Sequence, residues 1–443
     1  MTTTGLRTGA VLMALAVTAT GCHSAKDNDA AEGASTGDGD TSGVETAVDP
    51  DLGADLVWDD GPCDDAQPPV VLGLIAPFNA GAISLESQAI AAEASADAFN
   101  GRGGIAGRCI EMVTCDDGGD PNQAADCARS LVDQGVVAQI NDAVIAAADV
   151  VLDTFTQAGV PRLDGNPAPV AFGSDTTFTM GLGGLGNSLL MVPPLAEDGL
   201  RRFAIIRADV PGAAALQTIM EPMVTAYGGE VVADIPVTIG TSDYSQFVLA
   251  AQSAGADGVL MAAGTEEVIQ VLRAAEELDT DLRFSLSLGS VSRQDIASFG
   301  DFANHLVFNG ELPPATADPE PYPLLAVARR DLAASDEPVL QPDTLTNASL
   351  KSWVYLYALI SMIRDAGLTE ITPATVTATL QEATDVDLGG LSPPWTPDAT
   401  SEGLFRRVSN PWYWTATWDA DAENFVVDPD QLDAVALLAG DVE

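Results

Sequence analysis

Five cysteines, two histidines and a short glycine repeat are the residues of this 443-residue chain whose types and spacing admit specific chemistry. Four of the cysteines, Cys63, Cys109, Cys115 and Cys127, form an even set. In an oxidising compartment such a set makes two disulfides, and three pairings are open to it. Cys63 precedes the first strand that the pattern predicts, and Cys109 opens the second, expected beside it. Cys115 ends that second strand, and Cys127 lies in the helix that follows. This order favours Cys63–Cys109 with Cys115–Cys127. Zinc is the rival reading, but paired CxxC spacing is missing and the only nearby histidine is His23. No metal and no cofactor is expected.

Gly181-Leu182-Gly183-Gly184-Leu185-Gly186 matches the GxGxxG pattern that cradles a dinucleotide pyrophosphate. No acidic ribose reader ends a following strand, so a hinge that uses glycine's backbone freedom is preferred. The loop at 116–120, DDGGD, lacks the spaced ligands and terminal glutamate of an EF-hand. It reads as turn and cap chemistry, and Asp142 also reads as a cap. Enzyme motifs are missing: no GxSxG elbow stands between a predicted strand and helix, and neither a P-loop nor HExxH occurs. His305 is read as a satisfied structural residue. The alternation of Trp412, Tyr413, Trp414 and Trp418 reads as packing along a strand near the tail.

The N-terminus carries Arg7, an apolar run over 10–17 and the small residues Ala19-Thr20-Gly21 ahead of Cys22. That run is too short to cross a bilayer, which needs roughly 20 apolar residues. It has the form of a secretory signal, and the stretch before Cys22 resembles a bacterial lipobox, with Ala19 where leucine is commoner. The resemblance implies cleavage before Cys22 and lipidation on it, with the acyl chains as the anchor. Residues 1–21 are then the signal peptide and 22–62 an acidic, flexible tether, too poor in large apolar residues to order itself. The expected place is the outer face of a bacterial plasma membrane.

The formal charge is −47, with 65 acidic against 18 basic residues. Only Lys26 and Lys351 are lysines. That excludes nucleic acid as a partner, since phosphates require clustered cations.

The elements that must position any site alternate. Strands are predicted over 70–75, 110–114, 136–140, 203–206, 231–235, 258–261 and 282–286. Helices are predicted over 85–99, 121–134, 213–227, 244–254 and 266–278. Alternation of this kind implies parallel sheets covered on both faces. Asp120-Pro121 signals a capped helix start, as does Thr265 ahead of two glutamates.

The segments VVLGLIAPF (70–78), DAFNGRGGIAGR (97–108), EMVTCDDGGDPNQAADCARSLVDQGV (111–136), TSDYSQFVLAAQSAGADGVLMAA (241–263), EEVIQVLRAAEEL (266–278), LKSWVYLYALISMIRDAG (350–367) and LGGLSPPWTP (388–397) together resemble the branched-chain amino-acid-binding proteins of ABC transporters. The resemblance implies an α/β class I periplasmic-binding fold: two doubly wound parallel-sheet lobes joined by three crossovers. Lobe one is expected over 68–186 plus 314–386, and lobe two over 187–313 plus 387–443. It implies a monomeric protein, not an enzyme, that captures a small molecule between lobes and hands it to an ABC permease. The alternative is a receptor on the same fold that reports to a signalling partner.

Aligned on that family, the loops facing the cleft carry Phe78, Asn141, Val144, Ile145, Asp164, Asn166, Ala168, Asp209, Thr265 and Leu288. The family's hydroxyl-rich loop after the third strand is replaced by 141–146, NDAVIA. Its lobe-two tyrosine is Pro211, before Gly212, and its lobe-two acid is absent at Leu288-Gly289. A zwitterion buried without those partners costs several kcal/mol, of the order known for unpaired buried polar groups. The expected ligand is therefore partly apolar and not a simple α-amino acid. Val144 and Ile145 have a second reading, as the start of a buried helix face.

Overall fold

The computed structural model describes residues 49–78, 84–144, 146–210, 213–238, 240–401 and 403–439. The leader, Cys22, the tether up to residue 48, Ile145, Pro211 and Gly212 lie outside the described residues.

The first sheet holds β1 (Val70–Ala76), β2 (Ile110–Asp116), β3 (Ala138–Ile140), β4 (Arg162–Leu163) and β5 (Thr177–Phe178), in the order β2-β1-β3-β4-β5 and all parallel. VVLGLIA in β1 is a near-continuous apolar run because both faces of a parallel strand are covered. The covering helices include α1 (Glu86–Asn100), α2 (Pro121–Asp133) and α3 (Ala148–Ala158). Asp120 caps α2 as expected, accepting from the N–H groups of Asn122 and Gln123 at 2.8 and 3.1 Å, with Pro121 at the first helical position.

The second sheet is built from β6 (Arg202–Ala208), β7 (Glu230–Val237), β8 (Gly258–Ala262), β9 (Arg283–Ser287), β10 (Leu306–Gly310), β11 (Trp412–Asp419) and β12 (Asn424–Val427). Its order is β12-β11-β10-β9-β8-β6-β7. The helices α4 (Gly184–Leu189), α5 (Val192–Glu197), α6 (Leu216–Ala226), α7 (Ser245–Ser253), α8 (Thr265–Glu277) and α9 (Arg293–Ala297) belong to this half of the sequence. This sheet is mixed rather than wholly parallel, because β11 and β12 add to β10 as an antiparallel hairpin. The alternating aromatics serve that hairpin: Trp418 meets Phe425 edge-on, and Phe425 meets Phe308.

Three crossovers join the sheets. The chain leaves the first sheet after β5 and returns after β10 into α10 (Pro323–Ala333), α11 (Asn347–Asp365) and α12 (Pro373–Glu382). Nearly the whole of α11 is buried, and Trp353, Tyr355 and Leu359 lie in the core beside Val70, Phe99 and Ile140. Leu388, Leu391 and Trp395 join that core too, so the final passage to the second sheet comes with β11, beyond the expected boundary at 387.

The expected tether is also shorter than its predicted span. From Asp49 the chain is docked: Ala54–Leu56 form a 3-10 turn, and Trp58 stacks on Phe99 and Tyr357. Arg364 lies over the Trp58 ring and pairs with Asp60 at 2.5 Å. One tryptophan supplies the apolar area that the composition of the preceding stretch lacks. Both expected disulfides are formed, Cys63–Cys109 and Cys115–Cys127, with Cα separations of 5.0 and 5.8 Å.

Candidate functional site

Both sheets reverse their strand order at one point, between β1 and β3 in the first and between β6 and β8 in the second. Open α/β sheets bind ligands outside the carboxyl ends of the strands at such a switch. At the first switch stand Phe78, after β1, and Asn141, after β3. At the second stand Asp209, after β6, and Thr265, after β8. Asp209 and Thr265 are exposed, and Phe78 is half-buried. The Phe78 N–H donates to Asp116 Oδ1 at 2.9 Å, which ties the β1 loop to the end of β2.

The other candidates divide. Asp164, Asn166 and Ala168 occupy the loop after β4; Asp164 is buried, and Asn166 and Ala168 are half-buried. Val144 is buried among Ile75, Leu131, Val151 and Phe155, but in the loop ahead of α3 rather than on a helix face. Leu288 is likewise core, 2 % exposed in a cluster with Phe284 and Phe308. Ile145 lies outside the described residues.

Three smaller expectations change. Asp142 does not cap a helix, because α3 begins beyond Ala147 and the carboxylate is engaged elsewhere. Gly264, not Thr265, is the residue before α8, so the Thr265 hydroxyl is left unused by the helix end. His305 packs against Phe302, but its Nδ1 is buried without a partner.

What engages Asp142 is Arg162, a residue the sequence reading missed. Arg162 is buried in β4 and pairs with Asp142 at 2.6 Å and with Asp164 at 2.9 Å, while its Nε donates to Gln139 Oε1 at 2.8 Å. One cation thus serves two buried carboxylates beneath the strand-end loops. Burial pushes the Asp142 carboxyl up to about 7; Arg162 opposes the shift and Asp164 adds to it. Burial also raises Asp164, against the pull of Arg162. The folded protein therefore holds a proton that the unfolded chain releases near pH 4. That stability is fully present below the unfolded value and is lost as pH rises through about 7. The melting temperature is expected to fall between about pH 4 and 7, and Asp142→Asn to flatten that decline. Parallel pH profiles for the two proteins would contradict this assignment.

Asn141 has φ 48° and is fully buried, and its Nδ2 donates to Ser352 Oγ at 2.8 Å. Its Oδ1 presses on Gly165 so closely that a Cβ there would lie 1.8 Å away. Gly165 is thus fixed by close approach, and its carbonyl accepts from Lys351 Nζ on α11. Lys351 also pairs with Glu311 at 2.5 Å. On the far side, Glu311 Oε1 accepts from the Gly183 N–H at 2.9 Å and the Tyr413 hydroxyl at 3.1 Å. The glycine repeat wraps this carboxylate: a Cβ on Gly181 would meet Glu311 Oε1 at 2.1 Å, and one on Gly186 the Tyr413 hydroxyl at 2.1 Å. Close approach explains Gly181 and Gly186, whereas Gly183 also takes a left-handed φ of 57°. The sequence held one clue, a lysine inside an otherwise apolar helix in a chain with two lysines.

A two-sheet α/β body with matched switch points and three crossovers is the architecture of a solute-binding protein of the class I periplasmic type. The family model described as periplasmic binding protein matches residues 69–422, and the chain belongs to that family. Its members are binding proteins of ABC transporters that work outside the cytoplasm. Among solved structures, an ABC-transporter solute-binding protein from R. palustris in complex with 4-hydroxybenzoate is 16% identical, covering 83% of this chain and 98% of its own, with a TM-score of 0.66. A fatty acid ABC transporter substrate-binding protein from Thermomonospora curvata is 17% identical over 85% of this chain and 95% of its own, with a TM-score of 0.66. A substrate-binding periplasmic protein from Ralstonia solanacearum is 18% identical over 81% of this chain and 100% of its own, with a TM-score of 0.67. No curated protein matches. Among the described residues no helix is long and apolar enough to cross a membrane.

Proposed function

We propose that this protein is a lipid-anchored, monomeric receptor that captures a small, partly apolar solute and delivers it to an ABC permease. The observation that carries the reading is the pair of switch points, with strand-end loops on both sheets available to close over one ligand. Lobe one is assigned to 68–186 and 314–386, with 388–395 packed on it, and lobe two to 187–313 and the tail from β11 onward. Within that cleft Phe78 supplies apolar surface. Asn166, Asp209 and Thr265 supply exposed or half-exposed polar handles, and Asn141 and Asp164 hold the loops that present them. Val144 and Leu288 support the fold behind the cleft.

A ligand other than an α-amino acid fits the changed strand-end residues. Two proteins of similar fold, one in complex with 4-hydroxybenzoate and one a fatty acid ABC transporter substrate-binding protein, carry such chemistry and support the reading. A thermal-shift screen of α-amino acids, aromatic carboxylates and fatty acids tests the reading, since a ligand at 100 times its Kd stabilises by about 2.7 kcal/mol. The proposed reading expects shifts outside the amino-acid set.

The anchor is tested separately. Cys22→Ser is expected to abolish incorporation of labelled palmitate and to move the protein from the membrane fraction to the soluble one. Retention on membranes without the label would overturn Cys22 as the anchor.

A further inference from the structure

All three crossovers converge on one carboxylate. Gly183, on the first crossover, donates its N–H to Glu311, which itself begins the second. Tyr413, where the third crossover enters β11, donates its hydroxyl to the same oxygen. The first and third crossovers also bond directly, Ser409 N–H to the Thr179 carbonyl at 3.2 Å and Asn410 N–H to that of Met180 at 2.8 Å.

A single face of α11 ties this node to the loop after β4. Lys351 and Tyr355 are four residues apart and therefore neighbours on the helix. Lys351 bridges Glu311 to the Gly165 carbonyl. The Tyr355 hydroxyl donates to the Asp164 carbonyl at 3.1 Å and accepts from the Met180 N–H at 3.2 Å. Two struts thus join the 164–168 loop to the crossovers, one charged and one neutral. Both are buried, so water does not compete for their bonds.

We propose that Lys351, Tyr355 and Glu311 are positioning residues that couple the 164–168 loop to the interlobe hinge, so that what the loop contacts sets how far the lobes open. This rests on the reading of a ligand cleft between the lobes. The coupling is bonded at both ends, so displacing Gly165 or Asp164 displaces the node where the crossovers meet. A packed node of this kind has discrete arrangements rather than a continuum.

The test is made without ligand, so that its failure is distinguishable from failure of the binding assignment. Spin labels are placed on the full chain, carrying Cys22→Ser, at Asp153→Cys on α3 and Glu276→Cys on α8, both exposed positions. Double electron–electron resonance then reads the interlobe distance distribution. Lys351→Met is expected to widen it at least roughly twofold, as a hinge freed from one dominant state would. The double variant Lys351→Met with Glu311→Gln removes both charges, and recovers melting temperature while the distribution stays wide. A purely structural ion pair predicts recovery of both. Tyr355→Phe deletes the neutral strut alone and is expected to widen the distribution less. A wild-type distribution in the double variant overturns the proposal; should that variant fail to fold, a wild-type distribution in Tyr355→Phe does so.

Discussion

Arg162→Met is expected to destabilise the protein by about 3–5 kcal/mol, because it leaves buried carboxylates without their cation. Arg162 is 3% exposed and stands between Asp142 and Asp164, which are 0% and 1% exposed. Burial already raises both carboxyls with the guanidinium present. Once it is gone, the cheapest response is for both to take protons, so the loss should shrink as pH falls. Arg162→Lys keeps the charge but cannot serve two carboxylates and Gln139 with a planar fork, and an intermediate loss is expected. Combining Arg162→Met with Asp142→Asn and Asp164→Asn removes every charge and should restore most of the stability. Urea denaturation at two pH values measures all three variants. A loss under about 1 kcal/mol in Arg162→Met would mean that the trio contributes little.

The second large effect concerns the cystines. Loss of Cys63–Cys109 is expected to cost about 4 kcal/mol, against about 3 for Cys115–Cys127, because chain entropy grows with the closed loop. The sequence separations are 46 and 12. The longer link fastens the incoming segment where it is already held: the Cys63 N–H bonds the Asn100 carbonyl, and the Asp64 N–H bonds that of Gly107, both at 2.8 Å. Trp58 on Phe99 and Tyr357 holds the same segment without a covalent bond. The paired serine variants should therefore differ in stability while the segment at 49–62 stays protected in hydrogen exchange. Equal losses, or the reverse order, would show that native-state strain outweighs loop closure.

Much of this architecture was legible in local pattern. The parallel strands are continuous apolar runs, and Asp120-Pro121 marks a helix start that the structure keeps. The cystine pairing followed from where four cysteines fall relative to two strands. Strands β4 and β5 were not legible, since two residues each carry no periodicity. Trp58 was overlooked because a lone aromatic cannot outweigh the polar composition of some forty residues, although its ring docks the segment. The site was less legible than the fold. Asp142 looked like a cap because caps are local, whereas its partner Arg162 is 20 residues away. Glu311 and Lys351 are 40 residues apart and meet only when the crossovers close. The same convergence explains the glycine repeat, whose spacing mimics a nucleotide cradle but surrounds a glutamate of the protein itself.

The ligand assignment rests on what those strand-end loops lack, and one measurement addresses it directly. Purified protein, unfolded and refolded to strip any carried ligand, is titrated calorimetrically with L-leucine and L-valine, and in parallel with 4-hydroxybenzoate and a medium-chain fatty acid. Neither amino acid is expected to bind at millimolar concentration, whereas a solute from the second pair is expected to bind saturably. Micromolar binding of leucine or valine would contradict the ligand assignment.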